Sequence, residues 1–353
     1  MSEHVSAATR PTVSVIVLNY NGLSFLPRCI ETLQKTSYSP LELVVADNNS
    51  SDGSLAYLQA NHSEVRIIAF AENLGYSGAY NAAIEQVASE FVVLLNFDVE
   101  VEPDWLDQAI DMLSSDPNLA AVQPKLRALQ NRSQFEYAGG SGGFLDRYGY
   151  PFLRGRVFDT LEVDRGQYDD VVPILWASGA ALITRRSAYI KAGKLDADFF
   201  LHMEEIDLCW RYRLLGWDIR VAPKGTVYHY SGAALSAERF RKMYYNHRNS
   251  LVMLFKNYGF TRLLRCLPIR WLLDGVTVIS SLFAKQPKRS AAVLAAYCYF
   301  LIHFPALISK RRQVQRMRLI RDRDLDHVIF PGSLVWHYFI RKEKTFTQLL
   351  AKW

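Results

Sequence analysis

Residues 91–103 read FVVLLNFDVEVEP. The run Phe91–Leu95 is apolar without a break, the pattern of a strand buried on both faces of a sheet. It stops at Asn96-Phe97-Asp98. A carboxylate just past the end of a buried parallel strand lies where open α/β sheets place their ligands. An amide and a carboxylate two residues apart can point the same way from an extended turn, and hard oxygen donors suit Mg²⁺ or Mn²⁺. The same residues also suit the cap of a following helix opened by Pro103-Asp104-Trp105. The surrounding chain has to decide between the two.

Upstream, Val13–Leu18 (VSVIVL) and Leu41–Ala46 (LELVVA) are further strands of the buried type, and Val65–Phe70 is a third. Helical spacing fills the gaps at Leu23–Leu33, Ser54–Ala60 and Ala79–Ala88, with Pro27 tolerated near the first turn of its helix. Strands alternating with helices at this spacing predict a parallel sheet covered on both faces. Each strand ends in polar residues or glycine: Asn19-Tyr20-Asn21-Gly22, then Asp47-Asn48-Asn49, then the loop Asn73–Gly78. Together such turns line one crevice at the carboxyl edge of a sheet. Asp47 is placed to accept hydrogen bonds from a base or ribose, and suits an Asx turn equally well. The loop NLGYSGAYN is not GxGxxG, and no GxxxxGK[ST] occurs, which weighs against dinucleotide and P-loop sites. Gly75 and Gly78 still permit close approach of backbone to a phosphate.

The 353 residues carry a formal charge of +6 that is unevenly spread. From Leu251 onward there are 18 Lys/Arg against 5 Asp/Glu, leaving 23 against 30 for the first 250 residues. An acidic body with a basic, aromatic tail predicts that the tail meets something anionic. Cys29, Cys209, Cys266 and Cys298 form no CxxC pair, so neither a disulfide framework nor a zinc site is expected. The first residues, MSEHVSAATRPTV, lack an apolar signal-peptide core, and residues 1–11 are expected to be disordered.

Four blocks, VSVIVLNYNG, VVADNNSSDGS, NLGYSGAYNAAI and VVLLNFDVEVEPDWL, resemble in order and spacing the nucleotide-sugar-binding half of family 2 glycosyltransferases with the GT-A fold, most of all their rhamnosyltransferase-like branch. The resemblance covers about residues 12–250 and fades beyond. It implies an α/β GT-A fold with a nucleotide-sugar-binding half (12–105) and an acceptor half (106–250). It implies a donor nucleotide held by Asn19, Asp47, Asn73 and the Gly75 loop. Asn96-Phe97-Asp98 stands where the family carries its DXD motif, so Asp98 is the carboxylate expected on Mg²⁺ or Mn²⁺.

In the acceptor half, residues 134–170 are rich in Gly, Tyr, Asp and Arg, and read as an insertion bordering the acceptor site. The block WASGAALITRR resembles the family's segment beneath the acceptor, which makes Trp176 a candidate stacking platform. Glu204, Glu205 and Asp207 crowd a helix start. Acids there are favoured by the macrodipole, but three within four residues exceed what a cap needs, and clustering raises at least one pKa, as a general base requires. EEIDL matches the family's ED motif, which implies Glu205 as the base that deprotonates the acceptor. Glu204 then holds the acceptor, and Asp207 is the second choice of base. A lone His between two tyrosines usually packs in a core; the resemblance makes His229 a second metal ligand. Arg248 is a candidate partner of a phosphate or a site carboxylate.

Residues 251–353 read as a basic, amphipathic helical region. Ala291–Ile308 is apolar, barely long enough to span a bilayer, and basic at both ends, which fits a helix lying on an anionic membrane surface better than one crossing it. Nucleic acid is a poor fit, because no RNA or DNA motif accompanies the basic charge. The expectation is an inverting, metal-dependent glycosyltransferase, peripheral at the cytoplasmic face of the plasma membrane. Its donor would be dTDP- or UDP-linked, and its acceptor a glycan or lipid-linked hydroxyl. The rival readings are a nucleotidyltransferase acting on sugar phosphates and a non-catalytic scaffold subunit.

Overall fold

The computed structural model of the chain describes residues 10–230, 240–351 and 353. Of the N-terminal segment expected to be disordered, residues 1–9 lie outside the described residues. Pro11 is tied down, its carbonyl accepting from the Tyr38 hydroxyl at 2.7 Å.

The first half alternates as its periodicity requires. Strands β1 (Val13–Asn19), β2 (Leu41–Asp47), β3 (Arg66–Ala69) and β4 (Phe91–Asn96) are separated by helices α1 (Leu26–Leu33), α2 (Ser54–Asn61) and α3 (Gly75–Glu85). Next come β5 (Val99–Val101), α4 (Asp107–Ser115) and β6 (Leu119–Ala128). The insertion supplies β7 (Gly143–Asp146), β8 (Pro151–Leu153), β9 (Arg156–Val157) and β10 (Thr160–Leu161). Then follow β11 (Ala181–Arg185), α5 (Arg186–Lys191), α6 (Glu204–Leu214) and β12 (Asp218–His229). The tail is helical: α7 (Phe240–Asn257), α8 (Phe260–Phe283), α9 (Pro287–Ile302) and α10 (Phe304–Met317), closed by β13 (Ile329–Phe330) and α11 (Phe346–Leu350).

Among the described residues the central sheet has eight strands in the order β3-β2-β1-β4-β11-β6-β12-β5. β1 pairs in parallel with β2 and β4, and β2 with β3. β11 runs antiparallel to both neighbours, so the sheet is mostly parallel rather than wholly so. Side chains alternate across it. Ile16, Leu18, Val92 and Leu94 enter one core, while Val15, Val17, Val93 and Leu95 enter the other. This two-sided burial is why β1 and β4 are apolar without interruption.

Three local readings change. α3 begins at Gly75, so what looked like a glycine loop is a helical first turn. Ile219–Ala222 and Thr226–Tyr230, which each have the composition of a short strand, fall in one strand, β12, that ends at His229 and has an irregularity between Ala222 and Thr226. The apolar stretch 291–308 is not one helix: α9 and α10 meet at 76° around His303, with Pro305 in the first turn of α10.

The tail is docked rather than appended. β13 adds in parallel to β7 of a second sheet, ordered β10-β9-β8-β7-β13. Leu251, Phe255, Ala296 and Phe300 join the core that α3 and α6 line. α8 faces inward with its polar residues: buried Arg270 donates to Asp274 at 3.0 Å, and Asp274 also accepts from Tyr297 at 2.7 Å and Tyr150 at 3.3 Å. Asp274→Ala leaves Arg270 buried without its carboxylate and is expected to cost about 3–5 kcal/mol in urea unfolding. Circular dichroism and tryptophan fluorescence should report one coincident transition; two separate transitions would mean that the tail folds by itself.

Candidate active site

A cavity of about 380 Å³ opens at the carboxyl ends of β1, β2 and β4. Asp98 lies in the turn between β4 and β5. Antiparallel pairing of β5 with β12 puts Val99 opposite His229, and this register brings His229 Nε2 to 3.1 Å from Asp98 Oδ1. Asn96 Nδ2 is 3.2 Å from the same ring nitrogen. On the other side of the ring, His229 Nδ1 is 3.0 Å from Oε1 of Glu136, a fully buried carboxylate. Burial alone pushes the His229 pKa down, but the charges of Asp98 and Glu136 outweigh it and lift the pKa to about 10. Among the described residues no cluster of three or more acidic, His or Cys side chains is poised to hold a metal. What the site offers is one oxygen and one nitrogen donor on the cavity wall.

The donor-side turns are hydrogen-bonded to one another. Asn48 accepts from the Leu74 amide at 2.9 Å and donates to Asn73 Oδ1 at 3.0 Å and the Gly75 carbonyl at 3.2 Å. Asn73 accepts from the Gly75 amide at 2.9 Å. Gly75 has φ +69°, and a Cβ there would stand 2.6 Å from the Phe200 ring, so both conformation and space exclude a side chain. Asn19 and Asp47 are buried and bonded to each other at 2.8 Å. They brace the loops from behind, and the cavity wall is formed instead by their neighbours Leu18, Tyr20 and Asn48.

Glu204 and Glu205 open α6 on the same cavity as Asp98 and His229. Each has one buried carboxylate oxygen without a hydrogen-bond partner among the described residues. Burial raises both pKa values, Glu205 to about 7, and the charge of Glu205 drives Glu204 up further. Ahead of them Phe200, His202 and Met203 hold φ of +59°, +70° and +70°, a run of left-handed non-glycine residues that only strong outside contacts sustain. Asn249 Nδ2 supplies these, donating to the carbonyls of Phe199, Leu201 and His202 at 3.0, 2.9 and 2.7 Å. His202 enters the cavity wall, where burial and then the Lys242 charge hold its pKa down to about 3.

Besides Asn19 and Asp47, three further candidates from the sequence do not line the cavity. Trp176 is a core side chain: its ring covers Gly143, where a Cβ would sit 2.2 Å away, and its Nε1 donates to the Phe144 carbonyl at 2.9 Å. Arg248 donates to the carbonyls of Asp198 and Phe199 at 2.8 and 3.0 Å, so it braces the strained loop. Asp207 is fully buried and accepts from Arg211, Lys256 and Asn257 at 3.0, 3.1 and 2.9 Å. Its partners come from α6 and α7, which makes it a joint between helices. Conversely, Glu136, His202, Tyr137 and Lys242 belong to the site without having been marked by any local motif.

This arrangement defines the class: a GT-A-type domain with acidic groups and a cluster of hydrogen-bonded turns at the carboxyl edge of a mostly parallel sheet. Residues 14–165 match glycosyl transferase family 2, and the chain is similar to members of the rhamnosyltransferase-like branch of that family. It is 26% identical over 288 residues to an N-acetylglucosaminyl-diphospho-decaprenol L-rhamnosyltransferase of Mycobacterium tuberculosis, covering 76% of this chain and 91% of that protein. Two solved structures share the fold. GalNAc-T7 with UDP, GalNAc and Mn²⁺ has a TM-score of 0.58 and 15% identity, over 72% of this chain and 49% of that one. The mannosyltransferase PcManGT from Pyrobaculum calidifontis, with GDP-Man and Mn²⁺, has a TM-score of 0.51 and 16% identity, over 88% and 85%.

The raised Glu205 pKa has a stability consequence. An acid with a higher pKa in the folded state holds its proton there while the unfolded chain has released it. The stabilisation is therefore full below the ordinary value of 4.5 and is lost as pH rises through about 7. Glu205→Gln should accordingly gain stability over the parent between pH 5 and pH 8 in urea titrations. Asp207→Asn should lose about 3 kcal/mol or more at both pH values. A pH-independent loss in Glu205→Gln would show that its carboxylate is structural.

Proposed function

We propose that the chain transfers a sugar from a nucleoside-diphosphate donor to a hydroxyl of a lipid-linked or glycan acceptor, by single displacement with inversion. The observation that carries this reading is the shared cavity: the buried acid pair Glu204–Glu205 and the Asp98–His229 pair line it together with the Asn73–Gly75 turn.

The chemistry follows from the groups present. The acceptor oxygen attacks the anomeric carbon, its proton passes to the Glu205 carboxylate, and the bond from that carbon to the diphosphate oxygen breaks. A nucleoside diphosphate leaves. Glu205 with a pKa near 7 is a usable base at neutral pH, because part of the population is ionised and the conjugate acid is not too weak. Glu204, held protonated more firmly, can donate a hydrogen bond to the acceptor. Asp98, joined by His229 once a cation displaces the proton on Nε2, would hold Mg²⁺ or Mn²⁺. Such an ion would supply charge stabilisation to the leaving group. Glu136 behind His229 resembles the carboxylate that orients a metal-bound imidazole. The name of the mycobacterial relative favours a deoxysugar, hence a dTDP-linked donor first and a UDP-linked one second, and a diphospho-lipid acceptor.

We further propose that the protein works at the cytoplasmic face of a membrane through α8. This helix is long and apolar enough to cross a bilayer, yet it is built inside out. Arg270, Asp274 and Ser281 are buried, whereas Leu272, Ile279 and Phe283 are 68%, 57% and 85% exposed. Exposed Lys285, Lys288 and Arg289 follow directly. A large apolar face with a basic fringe suits a surface of anionic headgroups.

The reading is tested by thermal shift with dTDP, UDP and GDP, each with and without Mn²⁺. One nucleotide should raise Tm by several degrees at about 100-fold over its Kd, in a metal-dependent way, and Asp98→Ala should abolish the metal dependence. No shift with any of the three would leave the scaffold reading in place. With an accepted donor, kcat/KM should rise with pH through about 7, as an ionised base requires, and Glu205→Gln should lose transfer while keeping nucleotide binding. For the membrane, Leu272→Glu with Ile279→Glu should lower co-sedimentation with vesicles containing phosphatidylglycerol; unchanged binding would reject α8 as the contact.

A further inference from the structure

Buried cations in this protein are matched with acceptors almost throughout. Lys125 has Asp164 at 3.1 Å, Arg211 has Asp207 at 3.0 Å, and Arg270 has Asp274 at 3.0 Å. Arg248 is satisfied by backbone carbonyls. Arg156, on β9, breaks the pattern. It is only 8% exposed, it has no carboxylate or carbonyl acceptor among the described residues, and its buried Nε is unsatisfied. Its guanidinium lies over the Tyr137 ring, the Cζ 3.9 Å from the centroid, so it reaches the cavity wall from behind that tyrosine. Tyr137 lines the cavity that holds Asp98 and Glu205, and so does Lys242 in the first turn of α7.

Lys242 is the second half of the anomaly. Burial, followed by the charge of Arg156, pushes its pKa down, while Glu136 pulls the other way. That carboxylate is engaged elsewhere: one oxygen lies against His229 and the other accepts from the Ala138 amide at 2.7 Å. Arg241, also on the cavity wall, stacks over Tyr245. Two cations thus repel each other beside a cavity, one of them deeply buried. Burying an unmatched charge costs several kcal/mol, and a fold keeps such a pair only where something else neutralises it.

We propose that Arg156 and Lys242 form an anion subsite on this cavity and that its ligand is a phosphate or diphosphate group. A guanidinium seated over Tyr137 offers paired N–H donors to two oxygens, and a neighbouring ammonium adds charge without demanding geometry. Two carriers of such a group belong to the proposed reaction, the nucleotide donor and a diphospho-lipid acceptor. Only the choice of carrier rests on the transferase reading.

The test uses Arg156→Gln and Lys242→Gln in the full chain, with Kd measured by calorimetry for inorganic pyrophosphate, for UDP and dTDP with Mn²⁺, and for farnesyl diphosphate. Pyrophosphate binding should weaken about tenfold or more in both variants, with a shallower salt dependence. The ligand-free Tm of Arg156→Gln should be unchanged or higher, because an unmatched buried charge has been removed; a purely structural arginine would lower it. A selective loss of nucleotide affinity assigns the subsite to the donor, and a selective loss of farnesyl diphosphate affinity assigns it to the acceptor. Undiminished affinity for every probe in both variants overturns the proposal, as does a drop in Tm with all affinities retained. If Arg156→Gln does not fold, Lys242→Gln decides alone. A parent protein that binds pyrophosphate but no nucleoside diphosphate would keep the subsite and reject the transferase.

Discussion

The site depends on one short stretch of antiparallel pairing at the edge of the sheet. β5 is three residues long, and its register with β12 sets Val101 against Val227, Glu100 against Tyr228 and Val99 against His229. A hydrogen bond from the Tyr230 amide to the Asp98 carbonyl, at 2.9 Å, closes the end of the ladder. Side chains alternate along a strand, so a slip of one residue would turn His229 away from Asp98. β12 is thus tied by backbone to the segment that follows β4, and the 3.1 Å contact between Asp98 and His229 is its by-product. Glu136 adds a constraint from a third segment, since a carboxylate on Nδ1 leaves Nε2 as the nitrogen that meets the cavity.

A second constraint runs through α7. Its Asn249 and Arg248 hold the carbonyls of residues 198–202, and these bonds sustain three left-handed non-glycine residues in front of Glu204. The Phe200 carbonyl in turn accepts from the Tyr76 amide at 2.8 Å, and its ring fills the space that Gly75 leaves. The Asn73–Gly75 turn, the acid pair and α7 are therefore joined by one set of hydrogen bonds. The ion pairs under them are buried: Asp207 pairs with Arg211 within α6 and with Lys256 of α7, and Lys256 also reaches Asp196 in the loop before α6. A helical tail that looked like an extension is the back wall of the active centre.

What could be read from the sequence follows from how local each signal is. β1, β2 and β4 were legible because two-sided burial writes itself as a continuous apolar run. β12 carries Pro223-Lys224-Gly225 at its centre, a break in its local signal that the fold absorbs as an irregularity in register. The small sheet was illegible: its strands are two to four residues long, and β13 arrives from more than 180 residues away. At the site, Asp98, Glu204, Glu205 and His229 stand in recognisable blocks, and the fold gathers them on one cavity. Glu136, His202 and Lys242 are ordinary residues in unremarkable surroundings, brought in by tertiary pairing alone. Trp176 and Arg248 were misplaced because an aromatic or a cation beside a motif is equally suited to bracing it.

The charge asymmetry of the chain divides in the same way. A tail with 18 basic residues suggested an external anion, but part of that charge is spent inside. Lys256 pairs with Asp196 and Asp207, Lys310 with Asp196 and Asp198, and Arg311 donates to the Phe255 and Tyr258 carbonyls. The acidic body and the basic tail are in this measure each other's partners. What remains outward is sorted by position: Lys285, Lys288 and Arg289 stand at the end of an apolar outer face, and Lys242 with Arg156 faces the cavity side. Neither group forms an ion pair among the described residues, and Glu136 offsets only part of the penalty on the Lys242 charge. Charge left over after internal pairing is a sharper pointer to a ligand than net charge, because folding alone gives no reason to keep it.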